Sequence, residues 1–143
     1  MADMIPVSAF SEDLLPLREK MEEVYSAPFA REMGIEVDSL SRDEVVLHMD
    51  IAPKHINSRG FVHGAVIYGL MDHSLAFAAN MNGTAVGQSS NILYHRPVKE
   101  GRLVSRTVPV NRSKSLEVYD SKVFCNGKLI ASCTLTAFRI GDE

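Results

Sequence analysis

The feature that most constrains this chain runs from Asn57 to Asn80, NSRGFVHGAVIYGLMDHSLAFAAN. From Ala65 onward it is apolar almost all the way round: Ala65, Val66, Ile67, Tyr68, Leu70, Met71, Leu75, Ala76, Phe77, Ala78 and Ala79. A surface helix shows one apolar stripe, so a helix apolar on every side needs cover on every side. One carboxylate, Asp72, sits inside this stretch, and a polar entry loop carrying Asn57, Gly60, His63 and Gly64 precedes it.

The rest of the chain supplies the cover. The runs 84–97, 102–112, 115–125 and 128–140 read as strands, separated by Pro97 with Lys99-Glu100-Gly101, by Arg112-Ser113-Lys114-Ser115 and by Asn126-Gly127. Ahead of the helix, 35–40 and 43–51 read as two more strands around a Ser41-Arg42-Asp43 turn, the second ended by Pro53. Residues 1–10 read as a loose lead-in. Leu14, Leu17, Met21, Val24 and Tyr25 recur at helical spacing over 12–26, with Ser11 as N-cap, and a short helical turn comes next, stopped by Gly34. One helix inserted early among long antiparallel strands defines an α+β domain. Only a sheet curled around the 64–80 helix buries it, and the helix side and sheet face left over invite a second copy. At 143 residues the chain fits one domain over 1–143, of which 1–26 are lead-in and first helix.

Composition removes several function classes. A net charge of −3 with scattered Lys and Arg argues against nucleic-acid binding. The opening MADMIPVSAF lacks a basic start and a long apolar run, so no secretory signal is expected. Val62–Ala79 approaches the length of a membrane span, roughly 20 residues. It carries His63, Asp72 and His73, however, so no membrane association is expected. Asn126-Gly127 predicts a two-residue type I′ hairpin that pairs Cys125 with Lys128 and Cys133 with Asp120, too far apart for a disulfide. On that register Leu116, Val118 and Phe124 share a face with Leu129, Ala131, Leu135 and Ala137, while Tyr119, Val123, Ile130 and Phe138 take the other. Free buried thiols suit a cytoplasmic setting. His48, His55, His63, His73 and His95 show no metal-ligand spacing, so no metal and no cofactor are expected. Ser58, Ser89 and Ser90 lack the setting of a serine nucleophile.

The remaining candidates lie on the helix and its entry. Desolvation among Leu70, Met71, Leu75 and Ala76 should raise the pKa of Asp72 and make it a general base or nucleophile. Gly64 opens the helix, where unpaired N–H groups and the positive dipole end suit a polarised carbonyl oxygen. His63 is either a base or a cap of the helix. Gly64 and Asp72 are eight residues apart, roughly 12 Å along one helix. A carbonyl held at Gly64 is therefore out of reach of Asp72 in the same chain. The two meet only when a second copy of the helix runs antiparallel alongside, as in a two-fold dimer.

The spaced set Asn57, Gly60, His63-Gly64-Ala65 and Asp72 resembles the hot-dog fold thioesterases of the PaaI-like phenylacetic-acid-degradation group. Their pattern is an Asn, a Gly three on, a His-Gly-Gly at the helix start and an Asp nine residues after that His. Gly34-Ile35-Glu36-Val37, Tyr94-His95-Arg96-Pro97, Val118-Tyr119-Asp120 and Phe138-Arg139-Ile140 are similar as well, so the resemblance covers about 28–140. It implies a curved, mainly antiparallel sheet around one long helix, homodimers often paired into tetramers, and hydrolysis of acyl-CoA thioesters without a cofactor. By position it makes Gly64 the carbonyl-polarising donor, Asp72 of the second copy the base or nucleophile, and Asn57 the residue that orients water or carboxylate. Gly60 and Ala65 fall in the binding loop, with Ala65 replacing the second glycine. Arg112 and Lys114 fall where such proteins place contacts to the CoA phosphates. The helper hydroxyl that some relatives carry after the helix maps near Gly87, with Ser89 or Ser90 as substitutes. The competing readings are a non-catalytic acyl-CoA sensor of the same fold and a hot-dog hydratase. The acidic first 26 residues speak against a DNA-binding sensor, and an Asp in mid-helix speaks for hydrolysis.

Overall fold

The computed structural model describes residues 4–142. Strands β1 (Glu36–Leu40), β2 (Val45–Asp50), β3 (Thr84–Tyr94), β4 (Arg102–Arg112), β5 (Leu116–Cys125) and β6 (Lys128–Gly141) form one antiparallel sheet in the order β1-β2-β4-β5-β6-β3. Before β1 come helices α1 (Arg18–Tyr25) and α2 (Pro28–Met33), and between β2 and β3 comes α3 (Gly64–Ala79). Strands β2 to β6 all pack on α3, as the all-round apolarity of that segment requires. Leu70, Met71 and Phe77 of α3 are fully buried against Leu47, Met49, Leu103, Tyr119, Val123 and Leu135 of the sheet. Each such side chain contributes roughly 1.5–3 kcal/mol of transfer free energy.

The cover is incomplete along one stripe. Ala65 and Asp72 are exposed and Tyr68 and Ala76 half-buried, at spacings of three and four that mark one helix face. Strand β3, at the sheet edge, is exposed over most of its length. The single chain thus leaves bare one side of its central helix and the strand beside it.

A chain of buried hydroxyls ties α3 to the sheet. Ser74 Oγ lies 2.6 Å from Thr107 Oγ1 on β4, which lies 2.8 Å from Ser121 Oγ on β5. His73 turns away from the bare stripe and donates Nε2–H to the Val24 carbonyl of α1 at 3.0 Å.

Three local expectations are corrected. Residues 5–10 are not a loose lead-in: Ile5 and Phe10 are buried, and Phe10 bridges to Leu40. Residues 1–3 of that lead-in lie outside the described residues. The 12–26 helix is 3-10 over Glu12–Leu17, with Pro16 inside it, and becomes α-helical only at Arg18, and Ser11 makes no side-chain cap. The faces of the last hairpin are exchanged. Asn126 and Gly127 both have positive φ, 52° and 76°, as a type I′ turn demands, and Cys125 pairs with Lys128. A bulge comes at once: Val123 pairs with Ala131 but Phe124 with Leu129, so Ile130 is an extra residue on β6. A one-residue slip moves every later side chain to the other face. Beyond the bulge, Tyr119 and Val123 therefore share the buried face with Ala131, Leu135 and Ala137, Leu116 and Val118 lie half-buried on the other, and Cys133 faces Ser121, not Asp120, whereas Phe124 pairs with Leu129 as read. Both cysteines are free and buried.

Candidate active site

The site begins where the loop after β2 turns into α3. Asn57 Oδ1 accepts the backbone N–H groups of Arg59, 2.9 Å, and Phe61, 3.1 Å, and Gly60 takes φ +86° to complete the turn. His55, fully buried beneath the loop, accepts the Ala52 N–H on Nδ1 at 2.9 Å and donates Nε2–H to the Met33 carbonyl of α2 at 3.1 Å. His63 is the N-cap of α3: its Nδ1 accepts the Ala65 N–H at 2.9 Å. That bond uses one of the donors at the helix start. Among the described residues the Gly64 N–H has no partner. Gly64 borders a cavity of about 330 Å³ lined in part by Asn57, Phe61, Ile67, Tyr94 and Arg96.

Asp72 is not in that cavity. It lines another, of about 150 Å³, with Tyr68, Leu75, Gly87, Ser89, Ser90 and Leu135. Asp72 is open to solvent on the bare stripe, but its neighbours desolvate part of the carboxyl group and push its pKa up, against a weaker opposing pull from His73. Burial also lowers the pKa of His73, whose ring donates to the Val24 carbonyl. Gly87 faces the carboxylate directly: a Cβ there would lie 3.7 Å from Asp72 Oδ1. The wall opposite Asp72 is therefore bare backbone where the resemblance suggested a hydroxyl. Ser90 Oγ lies 3.0 Å from the Tyr68 hydroxyl and Ser89 Oγ lies 2.7 Å from Thr136 Oγ1, so both serines have partners within the chain.

The structure thus gathers Asn57, Gly60, His63, Gly64 and Ala65 at one end of α3 and Asp72, Ser89 and Ser90 around its middle. It leaves Arg112 and Lys114 apart from both groups. Arg112 Nη2 donates to the Arg42 carbonyl at 2.6 Å, its guanidinium lies 5.8 Å from the Tyr119 ring centroid, and neither residue lines the cavity at Gly64 or that at Asp72. Sequence reasoning gave Tyr94 no role of its own. This last residue of β3 donates its hydroxyl to the Gly64 carbonyl at 3.0 Å. An aromatic closing a strand three residues before Pro97 was the only signal available.

A curved antiparallel sheet around one helix, with a free N–H at the helix start and a partly desolvated acid in its middle, is the frame of a hot-dog thioesterase. The thioesterase superfamily model matches residues 59–131, just over half of the chain, and the chain belongs to that superfamily. Its architecture is similar to that of the TT0310 protein from Thermus thermophilus, with TM-score 0.77 and 37% identity over 79% of this chain and 97% of that one. The PaaI protein of the Escherichia coli phenylacetic acid degradation operon superposes with TM-score 0.81 and 26% identity, covering 87% and 91% of the two chains. In sequence, the acyl-coenzyme A thioesterase PaaI of Escherichia coli is 28% identical over 96 residues, 66% of this chain and 69% of that protein. Family, fold and the PaaI-like grouping agree with the resemblance carried by Asn57, Gly60, His63-Gly64 and Asp72. Among the described residues no helix is long and apolar enough to cross a membrane.

Proposed function

We propose that this thioesterase hydrolyses acyl-CoA thioesters as a homodimer whose two identical sites each take Gly64 from one copy and Asp72 from the other. One observation carries the reading: Gly64, with its unpartnered N–H, and the partly desolvated Asp72 border different cavities of one chain, roughly 12 Å apart along α3. Pairing of the bare α3 stripes, antiparallel, brings each Gly64 to the other copy's Asp72. The thioester carbonyl oxygen then accepts the Gly64 N–H, which supports the charge that grows there. Asp72 takes a proton from water as the water oxygen bonds to the carbonyl carbon. The C–S bond breaks, the acid leaves, and the proton held by Asp72 passes to the CoA thiolate, which restores the carboxylate. A carboxylate of raised pKa is the stronger proton acceptor, which favours the general-base role.

Asn57 orients the water from the Gly64 end. Its Oδ1 is committed to the loop, so its amide N–H group is the part left to act. Arg112 and Lys114 serve the CoA phosphates across the dimer, since neither borders the Gly64 cavity of its own chain. A panel of aryl and aliphatic acyl-CoAs, read by thiol release on wild type and Asp72→Ala, tests the reading. The wild type should turn over part of the panel and the variant roughly 10²–10⁴-fold less. Equal rates would sink the mechanism. A wild type that binds acyl-CoA and cleaves none of it would make the chain a sensor.

A further inference from the structure

Gly64 is gripped on one side and free on the other. Its carbonyl accepts the Tyr94 hydroxyl at 3.0 Å. The same ring lies against its Cα: a Cβ at position 64 would sit 3.2 Å from Tyr94 Cζ and 3.3 Å from the hydroxyl oxygen. Its N–H has no partner, and the residue lines the cavity that Tyr94 also lines. The neighbouring Ala65 N–H is already taken by His63. Tyr94 is itself anchored, because the next residue, His95, donates its backbone N–H to the Ile130 carbonyl at 2.7 Å and holds Ser132 Oγ with its ring at 2.8 Å.

A donor that stabilises a developing oxyanion works by being fixed beforehand at the place where charge appears. The first residue of a helix is poorly fixed by the helix alone, since its N–H has no turn before it to bond to. We propose that Tyr94 is a positioning residue for thioester cleavage: by clamping the Gly64 carbonyl and packing on its Cα, it fixes the aim of the Gly64 N–H at the substrate carbonyl. The inference rests on the thioesterase reading above and extends it to a side chain on another strand. A Cβ at residue 64 would press on the Tyr94 ring, 3.2 Å from Cζ, so a side chain there is accommodated only by shifting the clamp.

Tyr94→Phe keeps the ring and removes only the clamp. Its kcat on acyl-CoA should fall about fivefold, the factor carried by one net hydrogen bond, with KM within about twofold of wild type. Unchanged kcat, or a loss confined to KM, would overturn the proposal. A pair of inert ligands separates aim from mere bracing. Binding of a CoA ketone analogue, with methylene in place of the thioester sulfur, should weaken by a similar factor in Tyr94→Phe. Binding of a CoA thioether of equal length without the carbonyl should not change. Equal weakening of both would mean that Tyr94 only braces the strand end, and the proposal would fall. If the wild type cleaves no acyl-CoA, the thioesterase reading fails while the two analogues still decide the clamp. If it binds neither analogue, both fall together.

Discussion

Whether each site is built from two copies is decided by mixing two dead proteins. The first variant is Gly64→Pro. Proline deletes the N–H, yet it is tolerated at the first position of a helix, where that N–H bonds to nothing inside the helix. His63 already has φ −61° and ψ 136°, the extended conformation that a following proline requires. The ring meets Tyr94 at about Cβ distance, 3.2 Å, which the half-exposed tyrosine relieves by a small shift. Losing one oxyanion donor should cost about 10²–10³ in kcat. The second variant is Asp72→Ala, with a loss of about 10²–10⁴. Each carries a different affinity tag, and the two are co-expressed in equal amounts. If sites are shared, about half of the dimers are mixed. In each mixed dimer one site has both defects and the other has neither. The mixture should therefore recover about a quarter of wild-type activity, at least tens of times more than either parent. Thiol release reads the rate, and tandem capture on both tags confirms the mixed species. A captured mixed dimer no more active than the mean of its parents would refute the shared site. A Gly64→Pro protein that keeps wild-type kcat would refute the donor role of its N–H.

Three further outcomes are expected from the packing around the site and the core. Asp72→Asn should melt higher than wild type near neutral pH. The folded pKa is raised, so the wild type loses stability as pH rises from the ordinary carboxylate value through the raised one, and Asn does not; a melting-temperature gap that grows toward acid would contradict this. Glu117→Ala should destabilise by about 3 kcal/mol, roughly 10 °C in melting temperature, because buried Glu117 accepts from both Arg139 and Tyr119 and its loss leaves the half-buried guanidinium with the Lys114 carbonyl alone; a loss under about 1 kcal/mol in denaturant unfolding would show the pair to be idle. Gly69→Ala should lower the melting temperature despite the better helix propensity of alanine, since the new methyl would fall 2.7 Å from Phe29 Cζ, and adding Phe29→Ala should bring back part of the loss; an upward shift in the single variant would reverse the reasoning.

The central helix, the strand runs and the spaced Asn57, Gly60, His63-Gly64 and Asp72 were legible because each depends on a pattern within a few residues. The apolar periodicity located α3 to within one residue, and two glycine-marked stops, Gly34 and Asn126-Gly127, ended their elements as read. What stayed hidden depends on register. Nothing in KLIASC announces that Ile130 is a bulge residue, and that one residue decides whether Tyr119 or Val118 shares a face with Leu135 and Ala137. The 3-10 stretch before α1 was hidden for a different reason: Leu14 and Leu17 fit both helix types, and Pro16 alone hinted at the tighter one. In the site, the acid and the helix-start glycine were readable, but the Tyr94 clamp joins positions thirty residues apart and leaves no local trace. Arg112 was placed by analogy with a strand end, and only the fold shows its guanidinium resting on the Arg42 carbonyl.

The hydroxyl chain from Ser74 through Thr107 to Ser121 sets a limit on how this architecture can change over generations. It pins α3 against both sliding and turning, because a step of one residue would rotate the helix by about 100° and strand the hydroxyls in the core. Lengthening or shortening the Asn57–His63 loop therefore cannot be absorbed by the helix. The change must emerge as altered loop shape at the cavity mouth, while Asp72 stays opposite Gly87. New substrate ranges are thus open to this chain by loop variation, and the position of its acid is not.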